Sequence, residues 1–425
     1  MTATMNIIEE LQWRTLMHQC TDLVAVTKEL ETSTVLYAGF DPTSDSLHVG
    51  SLLPLMMLRR FQLAGHKPIA LVGGATGMIG DPSGKSDERT LLSKEILQHN
   101  VSSVETQMRQ FLDFDGPNAA VVVNNYDWMQ SFSFLDFLRD VGKNFPVSVM
   151  LGKDSVKSRL ERQDSGLSFT EFSYMLLQAY DFAYLAKNRN CKLQIGGSDQ
   201  WGNITAGIDL GRRMNSQQLY GLTCPLLTTT DGRKMGKTEK GAVWLSADKT
   251  SPYEFYQYFI NVADADVLMV LRFLSDVGRE EYIAIEAAMT DKPGAAQRRL
   301  AESITRLVHG EAGLQSALRA SQTLFGAEID SLSERELSEI FADVPSSTLP
   351  RARLSEGLTL IDALVAVALA ASKGEARRAI EGGSAYINNR KALAIDRALT
   401  SADLVSESVI VLRVGKKKYA LLRFE

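Results

Sequence analysis

No apolar run in this sequence reaches 18 residues, so no membrane span and no membrane partner are expected. Cysteine is scarce: Cys20, Cys191 and Cys224 stand far apart, with no CxxC pair. That argues against a disulfide framework and against a zinc site. The five histidines are scattered, and none falls in an HExxH pattern. The stretch "GGATGMIGDPSGKS" lacks the glycine spacing of a dinucleotide fingerprint. It also fails as a GxxxxGK[ST] phosphate loop: Gly84-Lys85-Ser86 fits the end, but the first glycine would have to stand where Ile79 is. The first thirty residues carry acids and no signal-peptide layout, so a cytoplasmic protein is expected.

What is present is enough chain for several cores. A length of 425 residues suits two or three domains. The net charge of −5 is unevenly spread. From Arg351 to Glu425 there are 13 Lys/Arg against 8 Asp/Glu, and in the rest 33 against 43. An acidic body with a basic tail fits a polyanion partner, and it equally fits a tail charged for solubility.

Periodicity gives the organisation. Residues 1–32 read as helix, with "MNIIEELQWRTLMHQ" placing apolar residues at helical spacing. "TVLYAGF" reads as a short buried strand, followed by a helix from Leu52 to about Ala64. "HKPIALVGGATGMIGD" and "NAAVVVNNYDWM" are strands running into polar or glycine-rich turns. "YDFAYLAKNRNCKLQIGGSDQWGNITAGIDLGRRM" reads as helix, strand, glycine turn, helix. Strands alternating with helices indicate an α/β, doubly wound parallel sheet, with ligands at the carboxyl ends of the strands. Beyond about Thr250 the pattern is helical as far as Phe325. A Pro/Ser-containing connection follows near Pro345 to Pro350, and a last compact unit begins near Leu358.

Four motifs carry chemistry. "PTSDSLHVG" puts His48 and Gly50 at a helix start, where free N–H groups can face an anion and a glycine lets a flat base approach. In "SYMLLQAYDFAYLA", Tyr174, Gln178 and Asp181 share one helical face, which suits either a small ligand with an amine or hydroxyl or a surface stripe. "DGRKMGKTEKG" flanks Gly236 with Lys234 and Lys237, followed by Thr238; such a loop can wrap a polyphosphate or serve as a solvated turn. The loop after the second strand carries Asp81, Lys85 and Arg89.

In order along the chain, these pieces resemble a known family. "PTSDSLHVG" is similar to the HIGH signature of class I aminoacyl-tRNA synthetases, with Ser51 in place of the last histidine. "KMGKT" resembles their KMSKS loop, with Met235-Gly236 in its variable part. "YAGFDPT", "GDPSGK", "IGGSDQWGN" and the Tyr174/Gln178/Asp181 helix resemble the bacterial tyrosyl-tRNA synthetases. The resemblance implies a Rossmann-like catalytic domain over 1–230 and a signature-lysine and helical anticodon-stem-side domain over 231–330. It further implies a linker over 331–355 and, over 356–425, a small α+β RNA-binding domain of ribosomal-protein type. It implies a homodimer whose partners are L-tyrosine, ATP and tRNA(Tyr), with ATP as a substrate accompanied by Mg²⁺ and no permanently bound cofactor.

Residue roles follow from the same resemblance. Tyr37 and Asp181 would hydrogen-bond the substrate phenol, and Tyr174, Gln178 and Asp81 would hold its ammonium group. Gln200 would lie near the carboxylate. Gly39, Asp41, Gly50, Gly197 and Asp199 would border the adenylate. Thr43 and His48 would stabilise charge on the phosphates, and Lys85, Arg89, Lys234, Lys237 and Thr238 would close over pyrophosphate. In the tail, Lys373, Arg377, Arg378, Arg390 and Lys391 would meet RNA phosphates.

Overall fold

The computed structural model describes residues 6–83, 92–153, 156, 157, 160, 167–238, 241–324, 329, 332–341, 344–415 and 418–425. The chain divides into two compact units, one of Met1–Thr250 with Phe259–Val308 and one of Ser251–Tyr258 with His309–Glu425.

The first unit is built on six strands: β1 (Gln19–Cys20), β2 (Val35–Phe40), β3 (Lys67–Val72), β4 (Val121–Asn124), β5 (Cys191–Gly197) and β6 (Tyr220–Cys224). The sheet order is β1-β6-β5-β2-β3-β4. All neighbours are parallel except β1, which runs antiparallel to β6. β2 and β3 are apolar almost throughout, as expected for strands covered on both faces. From β2 the chain adds strands toward β4, and later returns to add β5 and β6 on the other side. The reversal between β2 and β5 is a topological switch point, where α/β sheets bind ligands.

Three helices frame that point. α1 (Val49–Leu63) follows β2 and is capped by His48. α2 (Phe169–Arg189) starts on a reciprocal capping box of Ser168 and Glu171 and stops at Asn190, in the left-handed region at φ 54°. α3 (Trp201–Asn215) follows β5 and packs closely on α2: a Cβ on Gly207 would come 3.0 Å from the Phe182 Cβ. After the sheet, Asp264–Leu274 and Arg279–Ala288 are helical, and the helical stretch Ala295–Leu324 is interrupted at Gly310 (φ 70°, ψ 179°).

The reading of residues 1–32 as one helix is corrected. Two short helices, Ile7–Trp13 and Leu23–Glu29, are separated by β1. Thr15 turns left-handed at φ 55°, and Asp22 caps the second helix by accepting the Ala25 N–H. Pairing with β6 overrides the helical spacing of the apolar residues.

The second unit closes on a sheet of strands β9 (Ser346–Leu349), β10 (Ala385–Ile387), β11 (Arg390–Lys391), β12 (Val409–Val414) and β13 (Lys418–Phe424), in the order β11-β10-β12-β13-β9. β12 and β13 form the hairpin that "ESVIVLRVGKKKYALLRF" suggests. β9 falls in the stretch read as a connection and pairs parallel with β13. Helices Leu360–Ala366 and Lys373–Glu381 cover one side, burying Leu360, Leu364, Ala376 and Ile380 against Ile410, Leu412 and Leu422. Among the described residues, no helix is long and apolar enough to cross a membrane.

Candidate active site

At the switch point Tyr37 on β2 and Asp181 on α2 are deeply buried, each 1% exposed. The Tyr37 ring packs on Phe182, centroids 5.3 Å apart. Its hydroxyl is buried and has no hydrogen-bond partner among the described residues. Asp181 accepts from Asn125 Nδ2 at 3.0 Å and from Trp128 Nε1 at 2.9 Å. Burial pushes its pKa up to about 7, against the lowering pull of those two donors. Trp128 is held by stacking on Tyr184 at 4.4 Å. Each carboxylate oxygen has a second lone pair, so Asp181 can still accept an O–H from a ligand. Burial, followed by the Asp181 charge, raises the Tyr37 phenol well above its usual range, so it stays a neutral O–H.

One layer out, side chains from four segments are tied together. Tyr174 donates to Asp41 Oδ2 at 3.0 Å, and Thr76 donates to Asp41 Oδ1 at 2.9 Å. Thr76 accepts from Asn125 at 3.0 Å, which links this layer to Asp181. Gln178 donates to Gln200 at 3.2 Å, and Gln200 donates to Asp81 Oδ2 at 2.7 Å. Asn203 supports Gln200 Oε1 at 3.2 Å. Tyr174 and Asp181 are buried, so the α2 face is not a solvated stripe. Gly197 ends β5 where a Cβ would come within 2.7 Å of Asp199 Oδ1. Burial raises the Asp199 pKa, with the Asp81 charge adding and the Lys234 charge opposing, so both groups face it electrostatically. A Cβ on Gly39 would make only an ordinary contact, with the Leu71 side chain at 3.9 Å.

The start of α1 corrects one expectation. The Gly50 N–H is not free for an anion: it donates to His48 Nδ1 at 2.9 Å. Gly50 is required by this cap, since a Cβ there would come 2.7 Å from the His48 ring. The ring stands edge-on to Trp244, centroids 6.2 Å apart. Thr43 is exposed on the loop leading to it. Beside that loop Lys249 pairs with Asp45, donates to Ser44 at 3.0 Å and lies 4.8 Å from the Trp244 ring centre.

The second signature lies against this helix end. Gly236 has φ 85°, and a Cβ on it would come 2.9 Å from Val49 Cβ and 3.1 Å from the Gly50 nitrogen. β7 (Lys237–Thr238) and β8 (Gly241–Ala242) continue as a small antiparallel pair with the Lys237 side chain exposed. Thr238 donates to the Gly241 carbonyl at 3.2 Å. Lys85 and Arg89 lie outside the described residues. Asn125, Trp128, Thr76, Asn203 and Lys249 were not picked out from sequence; the asparagine and tryptophan in "NNYDWM" after a strand were the available signal.

The five tail cations are exposed. Lys373, Arg377 and Arg378 sit on the helix Lys373–Glu381, and Arg390 and Lys391 form β11. The Lys391 stem passes over Gly383, just beyond the end of that helix. Lys373 pairs with Asp362 at 2.6 Å.

This site geometry coincides with independent similarity. A family model described as tRNA synthetases class I (W and Y) matches residues 28–326. The chain belongs to that family. A second model, the tyrosine–tRNA ligase SYY-like C-terminal domain, matches residues 336–422. The tyrosine–tRNA ligase of Rhodopirellula baltica is 59% identical over 427 residues, covering 100% of this chain and 97% of that relative. The tyrosine–tRNA ligase of Roseiflexus castenholzii is 54% identical over 98% of this chain and 99% of its own length. A C-terminally truncated mitochondrial tyrosyl-tRNA synthetase from Aspergillus nidulans superposes with a TM-score of 0.68 at 31% identity, over 75% of this chain and 94% of that one.

Proposed function

We propose that the geometry divides a tyrosine–tRNA ligase reaction among the residues named above. The chain activates L-tyrosine with ATP to tyrosyl-adenylate and pyrophosphate, then transfers the tyrosyl group to the 3′-terminal adenosine of tRNA(Tyr). The observation that carries the division is the buried Tyr37 hydroxyl beside the doubly held Asp181 carboxylate. A substrate phenol donates to Asp181 and accepts from Tyr37. Phenylalanine would leave the buried Tyr37 hydroxyl unpaired and would give Asp181 no O–H beyond its Asn125 and Trp128 donors, which is the stronger form of discrimination.

Tyr174, Gln178 and Asp81 hold the substrate ammonium, and Gln200, already on Asp81, orients the carboxylate. A carboxylate oxygen then attacks the α-phosphorus, and the bond to the β-phosphate oxygen breaks. Gly39, Asp41, Gly50, Gly197 and Asp199 border the adenylate. Thr43, His48, Lys234, Lys237 and Thr238 take up the charge that builds on the phosphates, with Lys85 and Arg89 assigned to the same task. ATP enters as a substrate with Mg²⁺ on its phosphates. The protein positions partners and neutralises charge and needs no nucleophile of its own. In the second step a ribose hydroxyl attacks the tyrosyl carbonyl and AMP leaves, with the tail cations gripping RNA phosphates.

A homodimer in the cytoplasm belongs to this reading. Large apolar side chains are exposed together on Phe134–Asp140 and Val147–Leu151, including Phe134, Leu135, Val147 and Val149, which supports a self-association face. The test is ATP–pyrophosphate exchange with tyrosine, phenylalanine and tryptophan supplied separately. Exchange with tyrosine alone is expected. Exchange with tryptophan instead would overturn the roles of Tyr37 and Asp181.

A further inference from the structure

Asp266 lies in the first turn of the helix Asp264–Leu274, 4% exposed, and accepts the Thr230 N–H at 2.8 Å. Thr230 is at the exposed tip of a small hairpin. There the Gly232 N–H closes on Thr229 O at 2.9 Å, the Thr229 N–H reaches Arg233 O at 2.8 Å, and Thr228 bridges to Lys234. The hairpin therefore ends at the first signature lysine.

The helix behind Asp266 is fixed at both ends. At its start, buried Gln297 donates to Asp264 at 2.5 Å and to Val262 O at 3.3 Å. At its end, Arg14 donates to the carbonyls of Arg272 (2.8 Å), Ser275 (3.2 Å) and Val277 (2.9 Å), and Arg60 donates to Ser275 O at 3.1 Å. Both guanidiniums thus satisfy carbonyls left over at a helix C-terminus. Arg60 belongs to α1, whose other end carries His48. A continuous chain of contacts runs from His48 through α1, Arg60 and the helix Asp264–Leu274 to Asp266, Thr230 and the lysine loop.

We propose that Asp266 is a positioning residue for adenylate formation: by holding the Thr230 N–H it sets where the Lys234–Lys237 loop lies relative to the His48 end of α1. The holds on the loop include Asp266 at Thr230, the Met235 N–H on Leu227 O at 2.9 Å, the Val243 N–H on Gly236 O at 2.8 Å and the close seat of Gly236 on Val49 and Gly50. Lys234 lies between Thr230 and that seat, and Lys237 just past it. Together these holds keep the ammonium groups where phosphate charge develops, and removing the outermost, at Thr230, lowers the fraction of molecules with both lysines set. The inference rests on the assignment of these lysines to the departing pyrophosphate.

Thr230→Pro tests it with little disturbance. Thr230 is the second residue of the turn that Gly232 closes, where proline fits, so the change deletes one N–H and keeps the turn. Asp266→Ala and Asp266→Asn complete the set. The measurements are single-turnover adenylation against ATP concentration, tyrosine affinity by equilibrium dialysis, and melting temperature. Thr230→Pro and Asp266→Ala are expected to slow adenylation roughly tenfold to a hundredfold, as for loss of a hydrogen bond to a charged group. Tyrosine affinity stays at the parental value, and Asp266→Asn, which keeps an acceptor, recovers most of the rate. A parental rate in Thr230→Pro overturns the proposal, as does a tyrosine affinity that falls in step with the rate. If Asp266→Ala is slow only in proportion to a lowered melting temperature while Thr230→Pro is normal, the role is structural and the proposal also fails. Lys237→Ala separates the two levels: a parental rate there defeats the lysine assignment itself, whereas a slow Lys237→Ala beside a normal Thr230→Pro defeats only the part given to Asp266.

Discussion

The two compact units handle polar groups in opposite ways. In the first, Asp81, Asp181, Gln194, Asn203 and Thr76 are buried, and Asp181 accepts from two donors on one segment, the short helix Tyr126–Met129 and its cap Asn125. In the second, Lys373, Arg377, Arg378, Arg390 and Lys391 point outward, Lys373 with 75% of its side chain exposed. Buried and cross-tied polar groups read one small molecule at high resolution, because each unmet bond is costly. Exposed cations read a phosphate backbone, whose charge is long-ranged and screened by salt. The cations of the tail are not all of one kind. Arg413 is buried with its guanidinium 3.8 Å over the Tyr386 ring, and Arg397 pairs with Asp403 at 2.6 Å. The sequence surplus of positive charge therefore overstates the exposed cationic surface.

The sharpest way to break this contrast is Lys237→Ala, an exposed cation placed in the small-molecule unit. It is expected to slow adenylation by roughly 10²–10³-fold in pre-steady-state measurements while leaving tyrosine binding intact. Asp181→Asn should come next. One of the Asn125 and Trp128 donors then meets an amide N–H, and tyrosine affinity should fall by about tenfold or more in equilibrium dialysis.

A pH titration sharpens the same side. Burial raises Asp181 to about 7 in the ligand-free fold, above its unfolded value of about 3.9. Its neutral form thus contributes stability that is complete below the unfolded value and is lost as pH rises through about 7. Substrate binding runs the other way, because the ionised carboxylate is the better phenol acceptor. Tyrosine affinity should weaken as pH falls through about 7, and Asp181→Asn should flatten both profiles, read by calorimetry and by dialysis. The smallest effect is expected in the tail. Arg377→Gln with Arg378→Gln should weaken tRNA binding and lower its salt slope by about one per lost phosphate contact, with pyrophosphate exchange unchanged.

Local pattern made much of this legible. β2 and β3 stand where apolar runs end in turn residues, and α2 carries Tyr174, Gln178 and Asp181 on one face as spacing requires. What stayed hidden depends on partners distant in sequence. β1 and β9 are strands only because β6 and β13 accept them. Asn125 and Trp128 matter only because the fold brings the short helix Tyr126–Met129 and its cap against α2. A second reason for Gly50 is hidden for a related cause: a Cβ there would meet the protein's own His48 ring. Asp266 has no motif, and only the hydrogen bond to Thr230 singles it out.

The cap on α1 also fixes a proton. Because His48 Nδ1 accepts the Gly50 N–H, the uncharged ring must carry its hydrogen on Nε2. In that tautomer the Nε2 side of the imidazole is a donor only. His48 can steady a phosphate oxygen but cannot take a proton from the attacking group. Charging the ring would set two N–H groups against each other and release the helix start. One backbone amide thereby fixes which ring nitrogen can donate.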